Sequence, residues 1–367
     1  MRLDFLEPLY KEAGPYASVY LDTSRDSAIE DPDAAIALRW RHLRDDLIAE
    51  GADPDSLAAV TGTVGDDAAV PGVHGQALFT AHGKLVLQGE LPLPPAQDTA
   101  HFGPLPDALP LVVQHAPEIP YLAVRVHYTG RHSMEAEGTV RVDAEAGVWP
   151  VARVAPTGRL HEEVPVAQWL QTAERLADYV DSFAHRSGAE TLVLAGDVWA
   201  TGILANRLPK HLRGRLTTVE AGATPLPGRA LLEDQLEAVF TGRMAAHDHV
   251  LLASFLAQQA RGGASAEGLA ATVSALQRGQ VKALFLNNHP ESPLRLWVGP
   301  QPEHIALTEN DLRAYGVQTP RQERADAALT RALVGTGAEL VLVPEERVKL
   351  HEGIGVLLRY ADPAPST

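Results

Sequence analysis

YLAVRVHYTGRHSMEAEGTVRV (Tyr121 to Val142) and TLVLAG (Thr191 to Gly196) are the two runs whose reading decides the fold. In the first, Tyr121, Ala123 and Val126 alternate with polar neighbours, and Thr129-Gly130 offers a tight turn, so it reads as an antiparallel hairpin. The second is short and continuously apolar, the pattern of a strand covered on both faces. Between them, Val164 to Ser187 puts Val166, Trp169, Leu170, Ala173, Leu176, Ala177, Val180 and Phe183 on one helical face, with Pro165 suited to the first turn. Hairpin, helix and buried strand predict one α/β core. Ahead of the helix, VARVAPTGRLHEEVP (Val151 to Pro165) reads as a polar loop with no obvious nucleophile and base.

Upstream, ASVYLD (Ala17 to Asp22) reads as a strand, followed by the polar turn TSRDS and a helix with Ile36, Trp40, Leu43 and Leu47 on one face. Asp53-Pro54 starts a second helix as N-cap and first-turn proline. GQALFTA and KLVLQGEL form a hairpin across His82-Gly83, and the proline-rich run Leu91 to Pro110 reads as a connector. Downstream, Asp197 is the expected cap of a helix through Asn206, LTTVEA is a strand, and TPLPG (Thr224 to Gly228) is a linker. RALLEDQLEAVF and HDHVLLASFLAQQA are helical. Ser265 is the expected N-cap of AEGLAATVSALQR, and Gly279 ends that helix before the strand VKALFLN. LRLWV, a helix from Gln322 to Val334, ELVLVP and GIGVLLRY continue an alternation that argues an α/β/α sandwich. At 367 residues the chain exceeds one ordinary core, and we divide it into an N-terminal α/β domain at 1–118, a middle domain at 119–226 and a C-terminal domain at 227–367.

Composition narrows the function. With 45% hydrophobic and 21% charged residues the chain is of globular type. It has no cysteine, which removes disulfides, thiolate metal sites and cysteine nucleophiles together. No run approaches the length of a membrane span, so the expectation is a cytoplasmic protein with no membrane partner. The net charge is −16, and seven basic against nineteen acidic residues put −12 of it in residues 1–118. Such a surface repels a phosphate backbone and argues against DNA. The exception is NRLPKHLRGR (Asn206 to Arg215), where Arg207, Lys210, Arg213 and Arg215 could meet RNA phosphates or simply form a solvated helix end.

Other candidates carry bland readings beside the functional ones. His247 and His249 stand two residues apart, on different sides of a helix, so no metal is implied. His161-Glu162-Glu163 could poise a proton transfer, but acids also favour a helix N-terminus. Arg159 and His161 could touch RNA. Thr23, Ser24 and Arg25 leave a strand end, a ligand position that Ser/Thr turns explain equally. Asp197 could serve a nuclease, yet no partner carboxylates are identifiable. Gly335-Thr336-Gly337 lacks the rest of a dinucleotide loop, no Walker sequence exists, and no cofactor is expected.

SAEGLAATVSALQRGQVKALFLNN (Ser265 to Asn288), AELVLVP and VKLHEGIGVLLRY resemble the third domain of the archaeo-eukaryotic release factor subunit 1 and Pelota superfamily. TLVLAGDVWATGILANRLPKHLRGRLTTVEAG (Thr191 to Gly222) looks like its second domain after the long helix, and the first third is similar in element order. The bacterial branch of the superfamily is the nearest in pattern. The resemblance implies an α/β N-terminal domain, a ribonuclease H-like middle domain and a C-terminal domain similar to ribosomal protein L7Ae. It implies the ribosomal A site as partner, with rRNA and tRNA in reach, and leaves a translational GTPase open as a helper. In release factors a Gly-Gly-Gln loop of the middle domain cuts peptidyl-tRNA. Here the equivalent loop holds Gly158, Arg159 and His161 and no Gly-Gly-Gln, and the Asn-Ile-Lys-Ser codon-reading motif is absent. The expectation is therefore a non-catalytic, ribosome-binding protein of hibernation, rescue or translational stress, with Gly158, Arg159, His161, the basic run and Thr23 to Arg25 as contacts. A hydrolase of peptidyl-tRNA or RNA using residues 157–163 and an interaction module without a ribosome role are the alternatives.

Overall fold

The computed structural model describes residues 1–360 apart from 27–29, 130–137, 157, 221, 223–227 and 288–293. The chain is mixed α/β and forms two compact units, one of residues 1–68, 73–117 and 247–367, the other of residues 69–72 and 118–246.

The first unit opens with a 3-10 helix at Asp4–Tyr10, followed by β1 (Tyr16–Asp22), α1 (Pro32–Ala49), α2 (Pro54–Thr61), β2 (Gly75–Ala81), β3 (Lys84–Leu91), β4 (Thr99–Gly103) and α3 (Leu109–His115). Asp31 and Asp53 cap α1 and α2 by accepting from Ala34 N–H and Ser56 N–H, each followed by a proline whose missing N–H costs nothing there. The sheet runs β3-β2-β1-β4, all antiparallel. Alternation along β1 sends Ala17, Val19 and Leu21 against Ile36, Trp40, Leu43 and Leu47, and Tyr20 to the opposite core. The run Leu91 to Pro110 is more than a connector: Thr99–Gly103 pairs with β1 at the sheet edge, where prolines on either side are tolerated.

The second unit contains β5 (Ile119–Thr129), β6 (Thr139–Trp149), β7 (Arg159–Pro165), α4 (Trp169–Ser187), β8 (Thr191–Gly196), α5 (Val198–Arg207), α6 (Lys210–Arg213), β9 (Leu216–Val219) and α7 (Glu233–Phe240). Its sheet runs β7-β6-β5-β8-β9, with β5, β6 and β7 antiparallel to one another and β5, β8 and β9 parallel. This is the ribonuclease H-like strand order that the resemblance implies. Three readings need correction here. Thr129 is still in the ladder, opposite Thr139, so no tight turn is centred on it, and Gly130 lies outside the described residues. Residues 159–165 are a strand paired with β6, not a loop, because an edge strand needs few apolar positions, and Leu160 and Val164 supply them. Pro165 therefore ends a strand rather than starting α4, which buries Trp169, Thr172, Ala173, Leu176, Ala177, Val180 and Ala184 but leaves Leu170 exposed. The linker read at Thr224 to Gly228 lies outside the described residues except for its last glycine.

The first unit resumes with α8 (Ala246–Ala260), β10 (Ser265–Glu267), α9 (Leu269–Gln277), β11 (Val281–Asn287), β12 (Arg295–Val298), β13 (Ile305–Ala306), α10 (Glu309–Ala314), β14 (Arg321–Arg324), α11 (Ala325–Thr336), β15 (Glu339–Val343) and β16 (Ile354–Leu358). The four-stranded sheet β10-β16-β11-β15 has α9 and α11 on one face, through Val273, Leu276, Ala328 and Leu333, and α8 on the other, where Phe255 meets Phe285 at 4.7 Å between rings. That gives the expected α/β/α layering. Ser265 does not cap α9: it begins a short edge strand against β16, and Gly268 stands at the cap, because Glu352 takes the first free amide, at Leu269, from across the domain.

His115 ends α3 half-buried, its Nε2 paired with the Glu90 carbonyl at 3.1 Å. Burial holds its pKa below the ordinary value of 6.5, against the smaller effect of that hydrogen bond. The unfolded chain then binds the proton first, so this stabilisation is full above about pH 6.5 and drains away as pH falls toward the folded value. In urea unfolding from pH 7.5 to 5.5, His115→Gln is expected to flatten the decline of stability seen in the natural protein. An unchanged slope would show that His115 is not buried in this way.

Candidate functional site

Glu145 sits in the middle of β6 with its side chain wholly buried. Even-numbered residues of this strand, Val140 to Ala146, face α4, which sends Glu145 to the opposite side with Trp149 and Tyr121. There its Oε1 accepts from the Tyr121 hydroxyl at 3.3 Å and from Leu231 N–H at 3.1 Å. Its Oε2 accepts from Nε of Arg159, the residue directly opposite on β7. Arg159 also donates to the Arg229 carbonyl. The carboxylate is thereby satisfied by one cation and two further donors, the condition under which a buried charge is tolerable. Burial, and next the charge of Glu145, push the Tyr121 hydroxyl well above its ordinary pKa, so it stays a donor. Two more arginines fasten the α7 segment: Arg153, stacked 4.5 Å from the Trp149 ring, pairs with Glu237 at 3.0 Å, and Arg229 pairs with Glu233.

The same face of this edge carries His161 two residues further along β7. Its Nδ1 lies 2.8 Å from Asp143 Oδ1, and its Nε2 lies 3.7 Å from Glu163. Arg141 reaches the other oxygen of Asp143 at 3.4 Å. An Asp–His pair of this kind can orient an imidazole for proton transfer, but it is exposed on a flat strand. Among the described residues no group of three or more His, Asp or Glu could hold a metal ion. Gly158, just before the strand, is exposed with open space around it.

At the other end of the sheet, Gly196 closes β8 at φ +131°, where a Cβ would fall 1.6 Å from the Val126 carbonyl oxygen, so only glycine fits. Asp197 does not cap α5 with its side chain as expected: its carboxylate turns to β5, accepting from Tyr128 N–H and lying 3.5 Å from His127 Nδ1. Val198 and Trp199 stand exposed at the start of that helix. The basic run divides by role. Arg207 donates to the Ile203 carbonyl of its own helix, and Arg215 to the Ala189 carbonyl at 3.3 Å. Lys210 and Arg213 on α6 are exposed, and His211 pairs with Asp181 at 2.8 Å.

Thr23, Ser24 and Arg25 belong to the first unit. Thr23 is buried and donates to Asp67 at 2.5 Å, and the Ser24 hydroxyl, also buried, donates to the His74 carbonyl. Arg25 pairs with Asp33 at 2.8 Å and donates to the Gly65 carbonyl. The three side chains tie the strand end to Gly65, Asp67 and His74 by bonds distant in sequence, not by local Ser/Thr turns. Sequence reasoning missed Glu145 because Arg141, Asp143 and Glu145 alternate with Val140, Val142, Ala144 and Ala146 as on any half-exposed strand, so nothing in the pattern marks the buried acid.

Residues 120–261 match the family described as Bacterial archaeo-eukaryotic release factor family 2. Over that segment the chain is similar to the bacterial branch of the archaeo-eukaryotic release factor superfamily. An uncharacterized protein of Mycobacterium tuberculosis (strain ATCC 25618 / H37Rv), Rv2629, is 27% identical over 379 residues, covering 98% of this chain and 97% of its own. Among solved structures, Archaeoglobus fulgidus Pelota aligns with 13% identity and a TM-score of 0.38 over 79% of this chain and 81% of its own. Dom34 of S. cerevisiae, described as a translation termination-like factor, aligns with 13% identity and a TM-score of 0.35 over 79% and 80%.

Arg159→Ala is expected to destabilise the second unit by about 3–5 kcal/mol, because it strands a buried carboxylate. Replacing both partners with apolar residues of similar size, Glu145→Met with Arg159→Met, should recover most of that stability. Urea unfolding followed by tryptophan fluorescence checks both, and a neutral Arg159→Ala would mean that Glu145 is solvated.

Proposed function

We propose that this protein binds the ribosomal A site as release-factor-like proteins do, without cutting peptidyl-tRNA, and acts in ribosome hibernation, rescue or a translational stress response. One observation carries the reading: within a segment that matches the release factor family, the stretch Val151 to Pro165 holds one glycine, no glutamine and a paired edge strand. A release loop must bring a flexible backbone to the ester, and a strand fixed in a ladder cannot flex in that way. Glu162 and Glu163 would also set negative charge against RNA and a developing oxyanion. The candidate contacts are Gly158, His161, Lys210, Arg213 and Arg215, which are exposed. Arg207, Arg159 and Arg25 would have to share their present internal bonds, and Thr23 and Ser24 would have to be uncovered. A cytoplasmic location fits this role, and among the described residues no helix is long and apolar enough to cross a membrane. A translational GTPase would be a natural helper for delivery to the A site.

Lys210→Glu with Arg213→Glu leaves every described backbone bond of the basic run intact. Co-sedimentation with purified ribosomes should fall at least tenfold in affinity, and the slope of log affinity against log salt should become shallower by about 0.7 for each phosphate that the variant no longer neutralises. Unchanged binding and slope would remove α6 from the interface. In a peptide-release assay on stalled complexes, the natural protein should stay at background. Release above background that disappears in His161→Ala would instead establish the hydrolase reading.

A further inference from the structure

In the first unit, a pocket of about 390 Å³ opens between the 3-10 helix at Asp4–Tyr10, the end of β12, and α11. Tyr10, Tyr16 and Arg331 are partly or fully buried in its walls, and Lys11, Thr319 and Arg321 stand exposed around it. Arg331 is held in place by donating to the Gly299 carbonyl at 2.8 Å and to the Pro300 carbonyl. Its remaining N–H capacity and its charge are left for something else. None of Lys11, Arg321 and Arg331 forms an ion pair among the described residues. In a chain with 47 acids against 31 basic residues, three cations around one concavity that have no contact ion pair, with only the more distant charges of Glu303 on Arg331 and Glu323 near Arg321, are unexpected for packing alone. Glu12 also lines the pocket, with its carbonyl accepting from the Tyr16 hydroxyl, so the lining carries a net charge of +2.

That charge suits a phosphomonoester, which carries about −1.5 to −2 near pH 7. The volume lies in the range of small-ligand sites, roughly 300–1,000 Å³, and exceeds what a free phosphate fills. Tyrosine rings in the wall offer an apolar, flat surface for the organic part. We infer that this pocket binds a phosphomonoester of nucleotide size, with Lys11, Arg321 and Arg331 meeting the phosphate and Tyr10 and Tyr16 flanking the ring. The inference is independent of the ribosome reading.

The test is calorimetric titration of the full chain with AMP, adenosine, inorganic phosphate and an unphosphorylated oligoribonucleotide. AMP should bind with Kd below about 1 mM, and adenosine and inorganic phosphate at least about tenfold more weakly. Lys11→Glu and Arg321→Glu, both exposed positions, should each weaken AMP about tenfold or more while leaving the thermal midpoint unchanged. Absence of saturable AMP binding overturns the proposal, as does binding that both variants retain. Inorganic phosphate binding as tightly as AMP would overturn the organic part, and tighter binding of the oligoribonucleotide would assign the cations to RNA instead.

Discussion

A carboxylate with no access to water organises the second unit. Glu145 could have been an apolar residue, as its neighbours Ala144 and Ala146 are, and the sheet would have buried no less hydrophobic surface. Because it is charged, every group near it is constrained: Tyr121 must stay protonated, the Leu231 amide must point inward, and Arg159 must lie across the ladder. At an effective dielectric near 20, a contact pair gains about 4 kcal/mol, while desolvation costs several kcal/mol per ion. The pair therefore contributes little net stability, and what it supplies is placement. It ties the edge strand β7 to the segment that leads into α7, so that segment and strand hold or loosen together.

The same constraint explains why the stretch from 151 to 165 misleads in one dimension. Read residue by residue, Arg-Leu-His-Glu-Glu-Val-Pro is polar and charged, as loops are. On an edge strand the polar residues face solvent or one buried partner, and only Val164 and the half-buried Leu160 reach the core. The other strands that sequence reasoning missed, Thr99–Gly103, Ser265–Glu267, Ile305–Ala306 and Arg321–Arg324, the last read in part as the start of a helix, are also edges. Interior strands were legible because burial on both faces leaves a continuous apolar run, as in Thr191 to Gly196 and Val281 to Asn287. A helix start was legible where a side chain caps its own helix, at Asp53. Starts were not legible where the partner is distant in sequence: Asp197 turns to Tyr128, and Leu269 is met by Glu352.

Candidate contacts divide along similar lines. Charge in the basic run was visible, but which cations are free was not, since that depends on carbonyls brought near by folding. Arg207 and Arg215 are partly occupied by Ile203 and Ala189, so the run that reads as four cations leaves two with no internal role. Thr23 and Ser24 look like loop ligands because hydroxyls at a strand end suit both uses. Their burial against Asp67 and His74 assigns them to closing the strand end.

The excess of acid also bears on how such a protein could approach RNA at all. A net charge of −16 is repulsive at long range, yet at physiological ionic strength the field of a surface charge decays over about 8 Å. Beyond that distance the acidic first third is largely screened, and contact is decided by the groups that touch. Two or three phosphates neutralised by exposed cations on one helix would give a salt slope of only about −2, far from that of a general RNA binder. Binding built on so few charges depends on shape and on the fixed position of the sheet that carries them. The cations of α6 stand beside β9, at the edge opposite β7, and their position is set by Leu212, which is buried in the core shared with α4 and β8.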